Sequence, residues 1–230
     1  MIYRRKKENL LEKIYNLPIT ILIIIFTVIF SLIGFISWAV NEESLAYFAL
    51  KPENILQGKY LWTLITHIFS HGGLLHLFVN MFVLFSLGGL CERIIGRKRF
   101  FWFFLISGIL AGILSVFLSG YFGYGILEKV FGAPNVYMVG ASGALFAVAG
   151  LLMMLLPKLR FSIIFLPFFS LPAYIMVPLV LFLTWIVSIL AGFPIGNVAH
   201  FGGFLVGLVY GYYLRSRYRK KIMLLERFFR

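Results

Sequence analysis

The chain has 230 residues, 61% of them hydrophobic and 18% aromatic, with a mean hydropathy of +0.97. A soluble domain of this length cannot hide that much apolar surface, so composition excludes a water-soluble globular protein and points to an integral membrane bundle. The formal charge is +13, but the basic residues sit at the termini and in short loops between apolar runs, which is a pattern of orientation signals and not of a nucleic-acid surface.

Residues 1–16, MIYRRKKENLLEKIYN, form a basic N-tail too long and too charged for the head of a signal peptide. The apolar run behind it lacks a small-residue cleavage site leading into a soluble domain, and it is read as retained. A spanning helix needs about 20 mostly apolar residues. The first uncharged run, Ile14 to Asn41, predicts the first helix. Glu42 to Gly73 is mixed, with Pro52, Tyr60 and Trp62, and a connection this long is expected to be functional or partly membrane-embedded. The second helix is predicted from about Leu74 to Leu90, ending at Glu92. The third runs from about Phe100 to Ser119 and is broken by Gly120, Gly123 and Gly125. The fourth starts near Ser142 and stops near Leu156, before Pro157, which is short for a full span. The uncharged stretch Phe161 to Leu214 is too long for one helix, and AGFPIGN (Ala191 to Asn197) divides it into a fifth and a sixth. The expected fold class is therefore an all-α integral membrane protein, a six-transmembrane-helix bundle with a long first loop. Residues 17–214 form its core, and residues 1–16 and 215–230 are basic tails. The C-tail mixes Arg and Lys with Ile222, Leu224, Leu225 and Phe228, which suits an amphipathic helix on anionic lipid or an unstructured basic tail.

Six spans place both tails and the loops at 91–99 and 157–160 on one side, and this side holds 18 of the 21 basic residues. The positive-inside rule then puts both termini in the cytoplasm of a plasma (inner) membrane protein. Ser142 and His200, each at the head of its helix, fall toward the outer side. Small residues recur at helical spacing: Gly203, Gly207 and Gly211 in the sixth helix, Gly143 and Ala147 in the fourth, Gly108 and Gly112 in the third. Such stripes let helices approach closely in lipid. Near Ser142 and His200, close packing would also bring two polar side chains within hydrogen-bond reach.

Polar groups inside a membrane are costly and mark function. The eight acids are all glutamates outside the predicted helix cores, and the chain has no aspartate. That excludes an aspartyl protease, a carboxylate proton relay and a complete Ser-His-Asp triad, so a serine nucleophile here would work in a dyad. The four histidines, His67, His71, His76 and His200, all fall near the outer side. No glutamate follows any of them in an HExxH pattern, which argues against a catalytic metal. His67 and His71 are expected to tie the long loop to the bundle by hydrogen bonds. In HLFVN, His76 and Asn80 share one helix face and both can donate hydrogen bonds. They suit either an oxyanion hole or a polar clamp between helices. Cys91 is the sole cysteine, so no intrachain disulfide can form.

HIFSHGGLLHLFVN, GASG at the head of the fourth helix and AHFGGFLVG at the head of the sixth stand in one order, with GGLCERIIG after the second helix. This combination resembles the rhomboid family of intramembrane serine proteases, from about Leu17 to Leu214. The resemblance implies Ser142 as nucleophile, His200 as general base, and His76 and Asn80 as oxyanion donors assisted by the Ser142 backbone N–H. It makes Gly140 the glycine where the backbone approaches substrate. Phe146, one turn after Ser142, takes the place where many bacterial members stack a tyrosine on the catalytic histidine. The first loop carries Trp62-Thr63 where some members have Trp-Arg.

The resemblance thus implies cleavage of transmembrane protein substrates within the bilayer through an acyl-enzyme, with no cofactor, no nucleic acid and no need of an oligomer. Substrates must locally unwind, so helix-weak segments near the outer boundary are expected to be preferred. A short fourth helix implies a water-accessible cavity opening outward. The fifth helix, with Leu171, Pro172 and Pro178, and the Phe193-Pro194 loop would gate it. The competing readings are an inactive relative that binds membrane clients, and a small transporter or channel, for which the chain shows neither internal repeats nor midplane charges.

Overall fold

The computed structural model describes residues 17–163, 166–191 and 196–229. Among these residues are six principal helices: α1 (Ile19–Val40), α2 (Leu74–Ile95), α3 (Arg97–Phe122), α4 (Ser142–Leu155), α5 (Ala173–Ala191) and α6 (Asn197–Arg217). A further helix, α7 (Arg219–Phe228), follows α6. Among the described residues, α1, α2, α3 and α5 are long and apolar enough to cross a membrane. The 14-residue α4 is shorter. The 21-residue α6 has the length, but Asn197, His200 and two arginines make it more polar. The protein is an integral membrane bundle.

The core is built on α4. From Gly143 to Leu152 every residue except Phe146 is buried. Its closest neighbour is α6, and small residues make that approach possible. A Cβ on Gly203 would collide with the carbonyl oxygen of Gly143, and one on Gly207 with the carbonyl oxygen of Ala147. Where no water-driven force pushes helices together, such backbone contact supplies dispersion over a long seam. The seam is what fixes the head of α6 beside the head of α4.

Helix α1 buries only one stripe, Thr20, Ile23, Thr27 and Ser31, and exposes Phe26, Ile29, Ile33 and Ile36. In lipid those exposed apolar groups are solvated, so α1 needs polar anchors to stay docked. Pro18 gives it no side-chain cap. Glu92 on α2 does this work instead: its carboxylate accepts from Ile19 N at 2.8 Å, Thr20 N at 2.9 Å and Thr20 Oγ1 at 2.6 Å. Three donors at the positive end of a helix meet one anion.

Several boundaries differ from the sequence expectation. Helix α2 runs past Leu90 to Ile95, with a π-helical turn over Leu84–Gly88. Helix α3 passes through Gly120 to Phe122, and Gly120 serves close packing, since an added Cβ there would meet the Leu56 side chain. The uncharged stretch before α5 is not helical at its start. Arg160–Ile163 (β1) and Leu166–Pro172 (β2) form an antiparallel hairpin, pairing Arg160 with Pro172 and Phe161 with Leu171. β-Branched and aromatic residues followed by prolines favour extended chain over helix here. The dividing segment 192–195, with Phe193 and Pro194, lies outside the described residues, as does the N-tail 1–16.

Helix α7 docks on the bundle by burying Ile222. Arg215 connects it: Nη1 donates to the Met154 carbonyl at 2.7 Å, and Nη2 pairs with Glu226 at 2.7 Å. The guanidinium thus satisfies an open carbonyl at the C-terminal end of α4 while holding α7. Arg99, near the start of α3, lies 5.7 Å from the Tyr218 ring. The start of α3 and the ends of α4 and α6 therefore share one end of the bundle.

The opposite end is closed by the long connection between α1 and α2. It holds a 3-10 turn, Glu42–Ser44, and three short α-helical turns, Leu45–Phe48, Pro52–Leu56 and Thr63–Thr66. Leu50 pairs with Met138 through both backbone groups, at 2.9 and 2.7 Å. This ties the connection to the segment leading into α4.

Candidate active site

Ser142 is the first residue of α4, and His200 lies in the first turn of α6. The α4–α6 seam brings them together across 58 residues of sequence: His200 Nε2 and Ser142 Oγ are 2.8 Å apart. A serine hydroxyl donating to Nε2 requires the tautomer with hydrogen on Nδ1. That Nδ1 is buried and has no hydrogen-bond partner among the described residues, and neither has Asn197 Oδ1 one turn earlier. The ring is held otherwise. Phe146 stacks on His200 with 4.6 Å between ring centroids and 27° between planes.

His76 stands in the first turn of α2. Gly140 has φ +122°, a conformation that L side chains avoid, and it is closely approached. A Cβ there would lie 3.0 Å from His76 Nε2, 2.9 Å from His76 Cε1 and 3.6 Å from Ser142 Oγ. His76 Nε2 and Ser142 Oγ therefore flank the same glycine. Asn80 is buried on the same helix, with Nδ2 donating to the His76 carbonyl at 2.9 Å, so one of its two N–H groups is spent within α2. Ala141 provides no side-chain cap, which leaves the first N–H groups of α4 without intrahelical acceptors beside Ser142. Ser142, His200, Phe146, Gly140 and His76 are thus brought together, and Asn80 is tied to this group through the His76 carbonyl.

His67 and His71 make loop contacts. His67 Nδ1 donates to the Thr63 carbonyl at 2.7 Å, and the Gly140 N–H in turn donates to the His67 carbonyl at 2.9 Å. Burial pushes the His67 imidazole down to about 4, so it is neutral at ordinary pH. Among the described residues no cluster of three or more His, Cys, Asp or Glu could hold a metal ion.

A cavity of about 430 Å³ lies between the first connection and the segment after α3, lined among others by Glu53, Leu56, Gln57, Tyr124 and Glu128. None of the residues around Ser142 lines it, so this is not the cavity expected above the serine. His200 is only 7% exposed. The sequence reading missed the anchoring role of Glu92; the one signal was a lone acid at the end of an apolar helix.

A half-buried serine and a buried histidine thus meet at the heads of two close-packed helices of a membrane-spanning bundle. The chain matches the rhomboid domain over residues 58–217, and it belongs to the rhomboid family. It is 27% identical over 179 residues to the rhomboid protease GlpG of Haemophilus influenzae, covering 78% of this chain and 82% of that one. It is 34% identical over 113 residues to the rhomboid protease GluP of Bacillus subtilis, covering 49% of this chain and 19% of that one. It is 32% identical over 174 residues to RHOMBOID-like protein 4 of Arabidopsis thaliana, covering 73% and 38%. The chain therefore spans most of the first of these relatives and well under half of the other two. Relatives named as rhomboid proteases support intramembrane protease function.

Proposed function

We propose that the protein is an intramembrane serine endopeptidase that cleaves transmembrane segments of other membrane proteins through a Ser142–His200 dyad. The 2.8 Å contact between His200 Nε2 and Ser142 Oγ carries this reading. Ser142 Oγ attacks the scissile carbonyl carbon as its proton passes to His200 Nε2. The carbonyl π pair becomes the oxyanion. In this reading His76 Nε2–H, the second N–H of Asn80 and the Ser142 backbone N–H hold that charge, which the approach of His76 to Gly140 beside Ser142 supports. Collapse breaks the C–N bond, and His200 returns the proton to the leaving amine. Water, deprotonated by His200, then hydrolyses the acyl-enzyme. Among the described residues no carboxylate bonds to His200, and stacking on Phe146 takes that part. Dyads that work without an aspartate are known on other folds.

The depth of the site supports cleavage inside the bilayer. At 1.5 Å per residue a 14-residue helix is about 21 Å long, against a hydrocarbon core of about 30 Å. With its Leu155 end at one boundary, Ser142 would lie about 9 Å below the other. Residues 17–214 would form the protease core, with the basic tails cytoplasmic and the dyad toward the outer side. The gating role of α5 and the Phe193-Pro194 loop belongs to the same proposal.

The test is cleavage of a reporter transmembrane substrate in liposomes. Ser142→Ala and His200→Ala are expected to abolish product, while EDTA leaves the wild-type rate unchanged. Cleavage that survives Ser142→Ala would overturn the mechanism. A wild type that neither cleaves helix-weak substrates nor reacts with a fluorophosphonate would leave the client-binding alternative.

A further inference from the structure

His71 belongs to no helix. It sits between Ser70 and the pair Gly72-Gly73 that leads into α2, so its backbone has little to hold it. Yet the residue is only 6% exposed. The anchor comes from α1. Ser31, 1% exposed, donates its hydroxyl hydrogen to the Phe69 carbonyl at 2.8 Å. The same oxygen lies 3.0 Å from His71 Nδ1. A hydroxyl has one hydrogen, so toward His71 it can only accept. Burial, and then the neighbouring His76, push the His71 imidazole down to about 3, so the ring is neutral and carries its single hydrogen on Nδ1. Its Nε2 is a bare, buried acceptor with no partner among the described residues.

This fixed ring meets His76 edge-on, with 5.0 Å between centroids and 67° between planes. The other side of His76 is Gly140, whose missing Cβ lets Nε2 approach. His76 is therefore confined between His71 and the backbone beside Ser142. We propose that Ser31 and His71 are positioning residues: their hydrogen bond buttresses His76 and aims its Nε2–H at the oxyanion. The proposal rests on the oxyanion role given to His76 above, and it gives the otherwise lipid-facing α1 a part in catalysis. A small displacement of an oxyanion donor is costly, since a misplacement of about 1 Å can lower a rate on the order of a hundredfold.

The experiment is a double-mutant cycle on the full chain in liposomes, reading kcat and KM separately. Ser31→Ala and His71→Phe are expected to lower kcat about five- to tenfold with KM changed less than about twofold. His71→Asn keeps an N–H at the Nδ1 position and should retain about half of the wild-type kcat. In a His76→Ala background, Ser31→Ala should cause no further loss. If Ser31→Ala lowers kcat by the same factor with and without His76, or if His71→Asn is as poor as His71→Phe, Ser31 and His71 do not position His76. Should His71→Phe fail to fold, the Ser31→Ala cycle and His71→Asn still decide. A His76→Ala variant with wild-type kcat would instead overturn the oxyanion role itself, and the positioning role with it.

Discussion

Gly140 shows how one residue type can serve two demands. Its φ of +122° is strained for any side chain, and its missing Cβ leaves the space that His76 enters. Gly140→Ala would add the strain and push the imidazole outward together. We expect kcat to fall by at least about tenfold, equivalent to about 1.4 kcal/mol of transition-state stabilisation, with KM little changed. A Gly140→Ala enzyme with wild-type kcat would show that the approach of His76 to this glycine is incidental. Phe146 lies with its ring against His200 and has no hydroxyl, so in the proposed mechanism it would serve by shape alone.

At the scale of elements, the bundle is held by backbone proximity in one place and by charge in others. The α4–α6 seam needs the absence of side chains at Gly203 and Gly207. Helix α1 needs the presence of one, Glu92. Removing that carboxylate in Glu92→Ala would leave three donors at the start of α1 without their acceptor. The expected cost is about 3 kcal/mol, with Glu92→Gln in between because it keeps one acceptor oxygen. Thermal unfolding in detergent would measure it, and an unchanged midpoint for Glu92→Ala would remove Glu92 as the anchor. The helices themselves were legible in the sequence, because a run of apolar residues long enough to span is a local property. The π turn at Leu84–Gly88 and the hairpin before α5 were not, since neither changes the apolar pattern.

At the scale of the whole molecule, the orientation proposed from charge is open to a direct test. Cys91 is buried and is the only cysteine, so new cysteines can be read against a silent background. Lys59 in the first connection and Lys220 on α7 are both exposed. In sealed inside-out membrane vesicles an impermeant thiol reagent should label Lys220→Cys and spare Lys59→Cys. The reverse pattern would invert the topology and put the dyad on the cytoplasmic side. Docking of α7 through Arg215 also answers, for residues 219–228, whether that basic segment is helical or unstructured: it is helical, and it buries Ile222.

By itself the sequence determined the membrane class, the helical framework, the asymmetry of charge and the small set of polar residues worth explaining. These follow from composition and periodicity, which act over one helix at a time. Only the tertiary structure decided which polar groups meet. Ser142 and His200 are joined by a seam of glycines, Glu92 reaches the head of a helix 72 residues away, and Ser31 finds His71 across 40. In lipid, apolar contact does not discriminate one helix face from another, so the pairing rests on close backbone approach and on satisfied hydrogen bonds. Both depend on three-dimensional proximity, which no local pattern encodes.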